Sequence, residues 1–487
     1  MFEGQFCCGQ GSSSPSRAGW YSARLLPLLA VLAALAVAPP ALGGPNLHVG
    51  VVEDSPIWGD PSVETGRAQQ AGFDTIRMTA QWRSGHTELE HSVLVRIQQA
   101  VLAAQARGIR VVIAIYNTGS SETPADPILQ GEFVAFAQNT AASLPLVSTF
   151  VVGNEPNSNY YWQPQFDTRG GDNAAAQYEG LLAQSYDAIK AVRPDATVAG
   201  GALDSAGTDD PAAARPAHSP LTFIRDMGVA YRASHRTRPI MDVFDEHIYQ
   251  DNSSLPPSMP HPSSPAIAEA DYQRLVTALG QAFDGTAQAG SSLPIVYGEF
   301  GVESAIPAAE AGAYTGTESP NAKPVDEATQ AAYYIQAIKL ALCQPTVTGI
   351  YLFHLEDEAD LSRWQSGVYY ADGNPKSSVG PVRDAAAAAR AGTLATCPDR
   401  IAPTVSVAPP SNGTITAQAS DDVGVGKVVL FANGVVVGVK YTAPYTFALP
   451  RLSGRVAYQV KAYDAAGNVG SAGVIVRRAA GPVARRP

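Results

Sequence analysis

The sequence predicts an α/β chain: a closed (β/α)8 barrel followed by a small all-β sandwich. Three observations carry this. Short apolar runs alternate with helical patterns eight times between residues 46 and 395. The runs are rich in Val, Ile and Phe without strict alternation, as expected of parallel strands buried on both faces. From about residue 403 the pattern changes to period two, with turns at Ala432-Asn-Gly434 and Ala465-Ala-Gly-Asn468.

The chain begins with an apolar run, Leu25–Val37, preceded by Arg17 and Arg24 and followed by the small-residue segment Ala41-Leu-Gly43. That is the pattern of an export signal, so residues 1–43 are read as a signal peptide with an N-terminal extension. The run is short for a transmembrane helix, and an uncleaved anchor is the alternative. A secreted chain, free of the membrane after cleavage, is the expectation. The leader carries Cys7 and Cys8, leaving Cys343 and Cys397 as a pair expected to form a disulfide.

The barrel is expected over residues 44–398. Its strands are predicted at Leu47–Val52, Asp74–Thr79, Arg110–Tyr116, Ser148–Gly153, Thr197–Gly201, Met241–His247, Ile295–Glu299 and Gly349–His354. Helical periodicity is clearest over Leu94–Ala106 and recurs over Gly180–Val192, Tyr272–Phe283, Glu327–Leu342 and Val382–Leu394. Strands alternating with helices imply a parallel sheet with right-handed crossovers, and about 350 residues suffice to close it. Helix-to-strand links are short, whereas 156–172, 251–265 and 302–326 are long strand-to-helix links. A site is therefore expected at the C-terminal ends of the strands. An open doubly wound sheet would want a Gly-rich turn after its first strand, and Gly50-Val-Val-Glu-Asp-Ser55 is not one. Beyond the barrel, short alternating strands make 399–478 a sandwich, and 479–487 is read as a disordered tail.

Charge and motifs exclude several classes. The formal net charge is −11 with no Lys/Arg cluster, which argues against nucleic acid and anionic membranes as partners. The eight histidines form no His-x-His or His-Glu-x-x-His pattern, and no Gly-x-Ser-x-Gly elbow or phosphate loop occurs. Neither a metal nor a cofactor is expected, and the chain is expected to act as a monomer. Asp421-Asp422 is read as a polar turn rather than a calcium site. Glu356-Asp-Glu358 is read as a solvated acidic loop rather than a site for a cation or a basic sugar.

Two carboxylates stand where core strands have no packing reason to carry them. Phe150-Val-Val-Gly-Asn-Glu-Pro-Asn157 puts Glu155 just past the fourth strand, and Pro294–Gly301 puts Glu299 at the end of the seventh. Gly153-Asn-Glu-Pro156 and Gly298-Glu-Phe-Gly301, so placed, resemble the signature of clan A glycoside hydrolases. These are retaining enzymes on a TIM barrel, among them family 5 (cellulase-like) and family 39. The resemblance covers roughly residues 46–395 and implies Glu155 as acid/base and Glu299 as nucleophile. Retention needs one carboxylate to attack the anomeric carbon and one carboxylic acid to protonate the leaving oxygen, about 5–5.5 Å apart.

The same resemblance implies that Asn154 bonds the sugar 2-hydroxyl, that Arg77 stands beside the nucleophile, and that His247 and Tyr249 form a His-x-Tyr pair in the site. The third strand ends in Tyr116-Asn117, where cellulase-like members often have His-Asn, and Phe353 stands near the usual position of a subsite Trp; all three are expected to bind substrate. These departures put cellulose-type specificity in doubt and leave the bond-breaking machinery intact. Trp162, with Tyr160 and Tyr161, is expected either to stack on a sugar or to pack its loop down. The terminal segment resembles bacterial immunoglobulin-like modules through Asp421–Val425, Asn433-Gly434, Ala443–Tyr445 and Ala462–Asn468. The expectation is a secreted retaining glycosidase that cleaves a β-linked oligo- or polysaccharide by double displacement. The rival readings are a transglycosidase, or a barrel that only binds carbohydrate at the cell surface.

Overall fold

The computed structural model describes residues 47–397, 399–450 and 454–478; the expected signal peptide and the expected tail lie outside them. Eight parallel strands close a barrel in sequence order, with β8 returning to pair with β1. They are β1 (His48–Val52), β2 (Thr75–Trp82), β3 (Arg110–Asn117), β4 (Thr149–Val152), β5 (Thr197–Leu203), β6 (Val243–His247), β7 (Ile295–Phe300) and β8 (Val347–Phe353). Each expected strand is present, its ends displaced by at most three residues.

The helices are α1 (Ser55–Trp58), α2 (Pro61–Gln70), α3 (His91–Gln105), α4 (Pro127–Ser143), α5 (Ala174–Val192), α6 (Pro220–Ala233), α7 (Tyr272–Phe283), α8 (Glu327–Leu342) and α9 (Val379–Arg390). Sequence periodicity missed α1, α2, α4 and α6. The last three share a start signal that periodicity does not register. Asp60-Pro61, Asp126-Pro127 and Ser219-Pro220 each set a proline at the first helical position behind a side chain that caps backbone N–H groups.

Strand alternation sorts the side chains. Ile76, Met78 and Ala80 of β2, and Phe244 of β6, point outward into the core shared with the helices. Inside the barrel the lining is small: Val112, Ala114, Val151, Ala199 and Ala202 pack with Tyr351. That economy of volume leaves room for charged side chains nearer the mouth.

The C-terminal module is two sheets of strands β9 to β15, in the orders β13-β10-β9 and β12-β11-β14-β15. These strands are β9 (Thr404–Val407), β10 (Thr414–Ser420), β11 (Val425–Ala432), β12 (Val435–Lys440), β13 (Tyr445–Ala448), β14 (Gly454–Asp464) and β15 (Val469–Arg478). Ile415, Val428, Leu430, Phe447 and Val460 fill the space between the sheets. Asp421 makes the expected turn, its Oδ1 accepting from the N–H groups of Val423 and Gly424. Among the described residues no helix is long and apolar enough to cross a membrane.

Cys343, just past α8, is bonded to Cys397, just ahead of the module. The bridge spans 54 residues of sequence. In the loop-entropy account its removal should cost about 4 kcal/mol. The double variant Cys343→Ser, Cys397→Ser is therefore expected to lose about that much in denaturant unfolding relative to the oxidised protein; an unchanged midpoint would show the bridge to be idle.

Candidate active site

Alternation along β2 turns Arg77 into the barrel, and alternation along β6 turns Asp245 and His247 inward beside it. The parallel register pairs His247 with Glu299 across β6 and β7. Glu155 arrives differently. The chain leaves β4 through Gly153 at φ 88°, where a Cβ would meet the Tyr178 ring at 2.8 Å. Tyr178 itself ties β4 to β5: its hydroxyl donates to the Val152 carbonyl at 2.6 Å and accepts from Gly201 N–H at 2.8 Å. Glu155 then adopts a left-handed backbone, φ 42°, fixed by its N–H donating to the Ala202 carbonyl at 2.7 Å. Such a conformation costs a non-glycine residue about 1–3 kcal/mol and is held by its surroundings.

These paths bring the predicted set together. Glu155, His247 and Glu299 each place a side-chain N or O atom within 4.8 Å of the other two. Arg77 Nη1 donates to Glu299 Oε1 at 2.8 Å and to the Gly298 carbonyl at 3.1 Å, and Nη2 donates to Asn154 Oδ1 at 3.1 Å. Tyr249 donates its hydroxyl to Glu299 Oε2 at 3.0 Å. Arg77 Nη1 also lies 3.4 Å from His247 Nε2, and His247 Nδ1 lies 3.0 Å from Glu155 Oε1.

Burial by itself would raise the Glu299 carboxyl, but His247, Arg77 and the Tyr249 hydroxyl outweigh it and hold the group below the ordinary glutamate range. Burial likewise works against a charge on His247, yet the Glu299 and Glu155 carboxylates leave its pKa raised. Asp204, at the end of β5, is pushed up to about 7 by burial and then by Glu155. The donor set of Glu155, His247 and Glu299 has the reach of a metal site, but Arg77 already supplies the positive charge at Glu299. The arrangement suits a hydrogen-bonded carboxylate pair better than a cation.

The pair lies in a cleft of about 1240 Å³. Its aromatic wall was only half foreseen. Phe353 is there, and Trp364, from the loop after β8, meets it edge-on with ring centroids 5.6 Å apart. Trp364 also lies 5.0 Å from Tyr249 in a tilted stack, so a loop supplies the indole that the strand lacks. Trp58 on α1 stands at the rim, 60% exposed, and was missed because a single aromatic at the end of a four-residue helix carries no periodic signal. Tyr116 lines the cleft as expected, its hydroxyl 3.2 Å from Thr79 Oγ1.

Three expectations are corrected. Trp162 is buried away from the cleft, packed on Tyr178 with its Nε1 donating to Gln177 Oε1 at 3.1 Å, so it holds its loop down. Asn117 is also buried and donates to the carbonyls of Gly119 and Tyr161, which makes it an anchor for loops rather than a ligand for sugar. The acidic run 356–358 is not a solvated loop. Asp357 and Lys376 form a fully buried ion pair at 2.7 Å, and Glu356 pairs with Arg67.

The molecule is thus a TIM barrel that carries one carboxylate from the end of β4 and another from β7 at its mouth, followed by an immunoglobulin-like module. Residues 402–464 match the family model described as a bacterial Ig domain. No curated protein matches the chain. Among solved structures, a family 39 glycoside hydrolase from the gut symbiont Bacteroides cellulosilyticus WH2 aligns with a TM-score of 0.50 at 17% identity, over 84% of this chain and 81% of that one. An endo-β-1,4-mannanase from Thermotoga petrophila aligns with a TM-score of 0.46 at 12% identity, over 89% and 98%. For a calcium-binding mutant of β-glucuronidase 2 from Bacteroides uniformis the figures are 0.44 and 12%, over 88% of this chain and 45% of that one. The chain thus spans less than half the length of that glucuronidase. What these likenesses share with the chain is the fold.

The charge state of Glu299 can be read directly by NMR titration of its side-chain carboxyl carbon. The expected midpoint lies below the ordinary value of about 4.3. Because the folded-state pKa is lowered, the stability this gives is present above the unfolded pKa and lost as the pH falls through the folded one. Arg77→Met removes a partner of the anion, so the midpoint should rise by about one unit or more, with Tyr249→Phe raising it less. A midpoint indifferent to Arg77 would contradict the electrostatics.

Proposed function

We propose that the protein is a retaining glycoside hydrolase acting on a neutral, β-linked glycan. The observation that carries this is the carboxylate pair: oxygens of Glu155 and Glu299 lie within 4.8 Å of each other, one carboxylate clamped by Arg77 and the other bonded to His247. That spacing suits direct attack by one carboxyl and leaves no room for the water that inversion needs. Asn154, with its carbonyl oxygen committed to Arg77, has its amide N–H groups for a sugar hydroxyl.

In the first step an oxygen of Glu299 bonds to the anomeric carbon as the bond to the leaving oxygen breaks, and Glu155 gives its proton to that oxygen. In the second, Glu155 takes a proton from water, the water oxygen bonds to the anomeric carbon, and Glu299 is released. Tyr249, Phe353 and Trp364 offer ring faces for the glycone. The cleft favours uncharged sugar over uronate, because Asp54, Asp204, Glu356 and Glu358 line it, its outer Arg363 is paired with Glu358 at 3.3 Å, and its inner guanidinium is committed to Glu299. The β linkage follows from the motif resemblance. The Cys343–Cys397 bridge and the bacterial Ig module support export to an oxidising compartment.

Glu299→Ala should lower kcat on any glycan that the wild type cleaves by at least about 10⁴-fold. A 2-fluoro-glycoside of the correct sugar should leave one glycosyl adduct on Glu299, seen by peptide mass spectrometry. Full activity in Glu299→Ala would end the proposal, and a barrel that merely binds sugar would show no turnover to lose.

A further inference from the structure

The loop after β6, residues 248–268, carries Tyr249 and contains neither helix nor strand. We propose that the C-terminal module is a working part of the site: β11 clamps this loop through Ser258 and so holds the Tyr249 hydroxyl on Glu299. Ser258 is then a positioning residue. What it acts on is the Tyr249–Glu299 bond, whether or not the site turns over a glycan.

The contacts form one short path. Tyr249 donates to Glu299 Oε2 at 3.0 Å. The next residue, Gln250, reaches across the loop, its Nε2 donating to the Met259 carbonyl at 3.1 Å. Immediately before Met259 stands Ser258, fully buried, whose hydroxyl donates to the carbonyl of Val425 at 3.0 Å. Val425 is the first residue of β11. The loop is therefore pinned to itself beside Tyr249 and fastened to the module one residue further on. His261 then brings the chain back to the cleft, where Tyr249, Gln250 and Asp251 also stand.

The junction is made for close approach. Val425 lies between Gly424 and Gly426, and side chains at either position would crowd the loop. A Cβ at 424 would lie 2.3 Å from Gln336 Nε2 and 3.1 Å from Ser258 Cβ; one at 426 would lie 3.2 Å from the Ser258 carbonyl oxygen. Helix α8 braces the same point. Gln336 Oε1 accepts from Ser258 N–H at 3.3 Å, and Lys339 Nζ donates to the Asp422 carbonyl at 2.5 Å. Asn468 Nδ2 donates to the Asp399 carbonyl at 3.2 Å, just past the Cys343–Cys397 bridge, so the linker is held as well. A module that served only as a tether would have no need to press bare backbone onto a loop of the site. A long loop without a hydrogen-bond ladder opens readily unless something outside it holds it. Here the module does the holding.

The test is NMR titration of the Glu299 carboxyl in the full-length protein, read beside amide hydrogen exchange over residues 250–260. Arg77, His247, Tyr249, His354 and Glu155 face that carboxyl, and the variants leave all five in place. Ser258→Ala removes the bond to Val425, and Gly424→Ala wedges the junction apart. Each should speed exchange in the loop and raise the Glu299 midpoint by about 0.3 unit or more, up to the rise that Tyr249→Phe gives, because the anion loses a donor. In a Tyr249→Phe background neither should add to the rise. A midpoint unmoved by both variants overturns the clamp, even where stability falls, since Ser258 would then only fasten the module. A shift that persists in full without the Tyr249 hydroxyl overturns it too. Neither readout involves turnover, so the clamp and the glycosidase reading fail separately.

Discussion

The site is built around one buried ion pair, Arg77 with Glu299 at 2.8 Å, set into the upper end of the barrel. Both side chains are buried, Arg77 to within 2% of completely. Taking two charges out of water is costly, and the attraction between them offsets the cost only when the remaining donors and acceptors are also satisfied. Here the guanidinium meets Glu299, the Gly298 carbonyl and Asn154 through its two Nη atoms, while its buried Nε has no hydrogen-bond partner, and the carboxylate meets Arg77 and Tyr249. The rest of the barrel interior follows from that requirement. Only a lining as small as Ala114, Ala199 and Ala202 leaves room for an arginine to cross from β2 to β7. Only a glycine fits at 298, where an added Cβ would lie 2.0 Å from Asp245 Oδ1.

The pair is asymmetric, and His247 mediates the asymmetry. Its ring stands between the carboxylates, with Nδ1 at 3.0 Å from Glu155 and 3.6 Å from Glu299. Arg77 sits on the Glu299 side of that ring and Asp204 on the Glu155 side. One glutamate therefore faces a fixed cation and the other a neighbouring carboxyl group near neutrality. Two chemically identical side chains thus stand in different surroundings, set by what the strands place beside them. Glu155 is anchored through its backbone, whereas Glu299 is anchored through its side chain.

How much of this was legible depended on whether a residue's role was set by strand position or by loop path. The eight strands could be read from their order and composition, Glu155 and Glu299 from the motifs at two strand ends, and Arg77, His247 and Tyr249 only through the family those motifs resemble. Trp364 could not, because its distance from Phe353 depends on how a loop folds back over β8. Trp162 and Tyr160 stand two residues apart in one loop, yet one is buried on Tyr178 and the other lines the cleft. Composition cannot distinguish them. The missed helices are a different case. Their Asp-Pro and Ser-Pro starts were in plain view, and a search for amphipathic periodicity passed over them.

The acidic loop after β8 shows why loops of such a barrel resist reading by charge. Three carboxylates in a row, 356–358, are most simply solvated. In the fold each has a separate structural partner: Arg67 on α2 for Glu356, buried Lys376 for Asp357, and the N–H of Trp364 for Glu358. Tyr314, from the loop after β7, adds a hydroxyl to Asp357 at 2.7 Å and so ties two loops to one charge. A loop that carries Trp364 into the cleft keeps that indole in place only if it is held as firmly as the strand beneath it. Buried ion pairs supply that rigidity where no regular hydrogen-bond ladder is available. The charges that look most like surface are therefore the ones that fix the wall of the cleft.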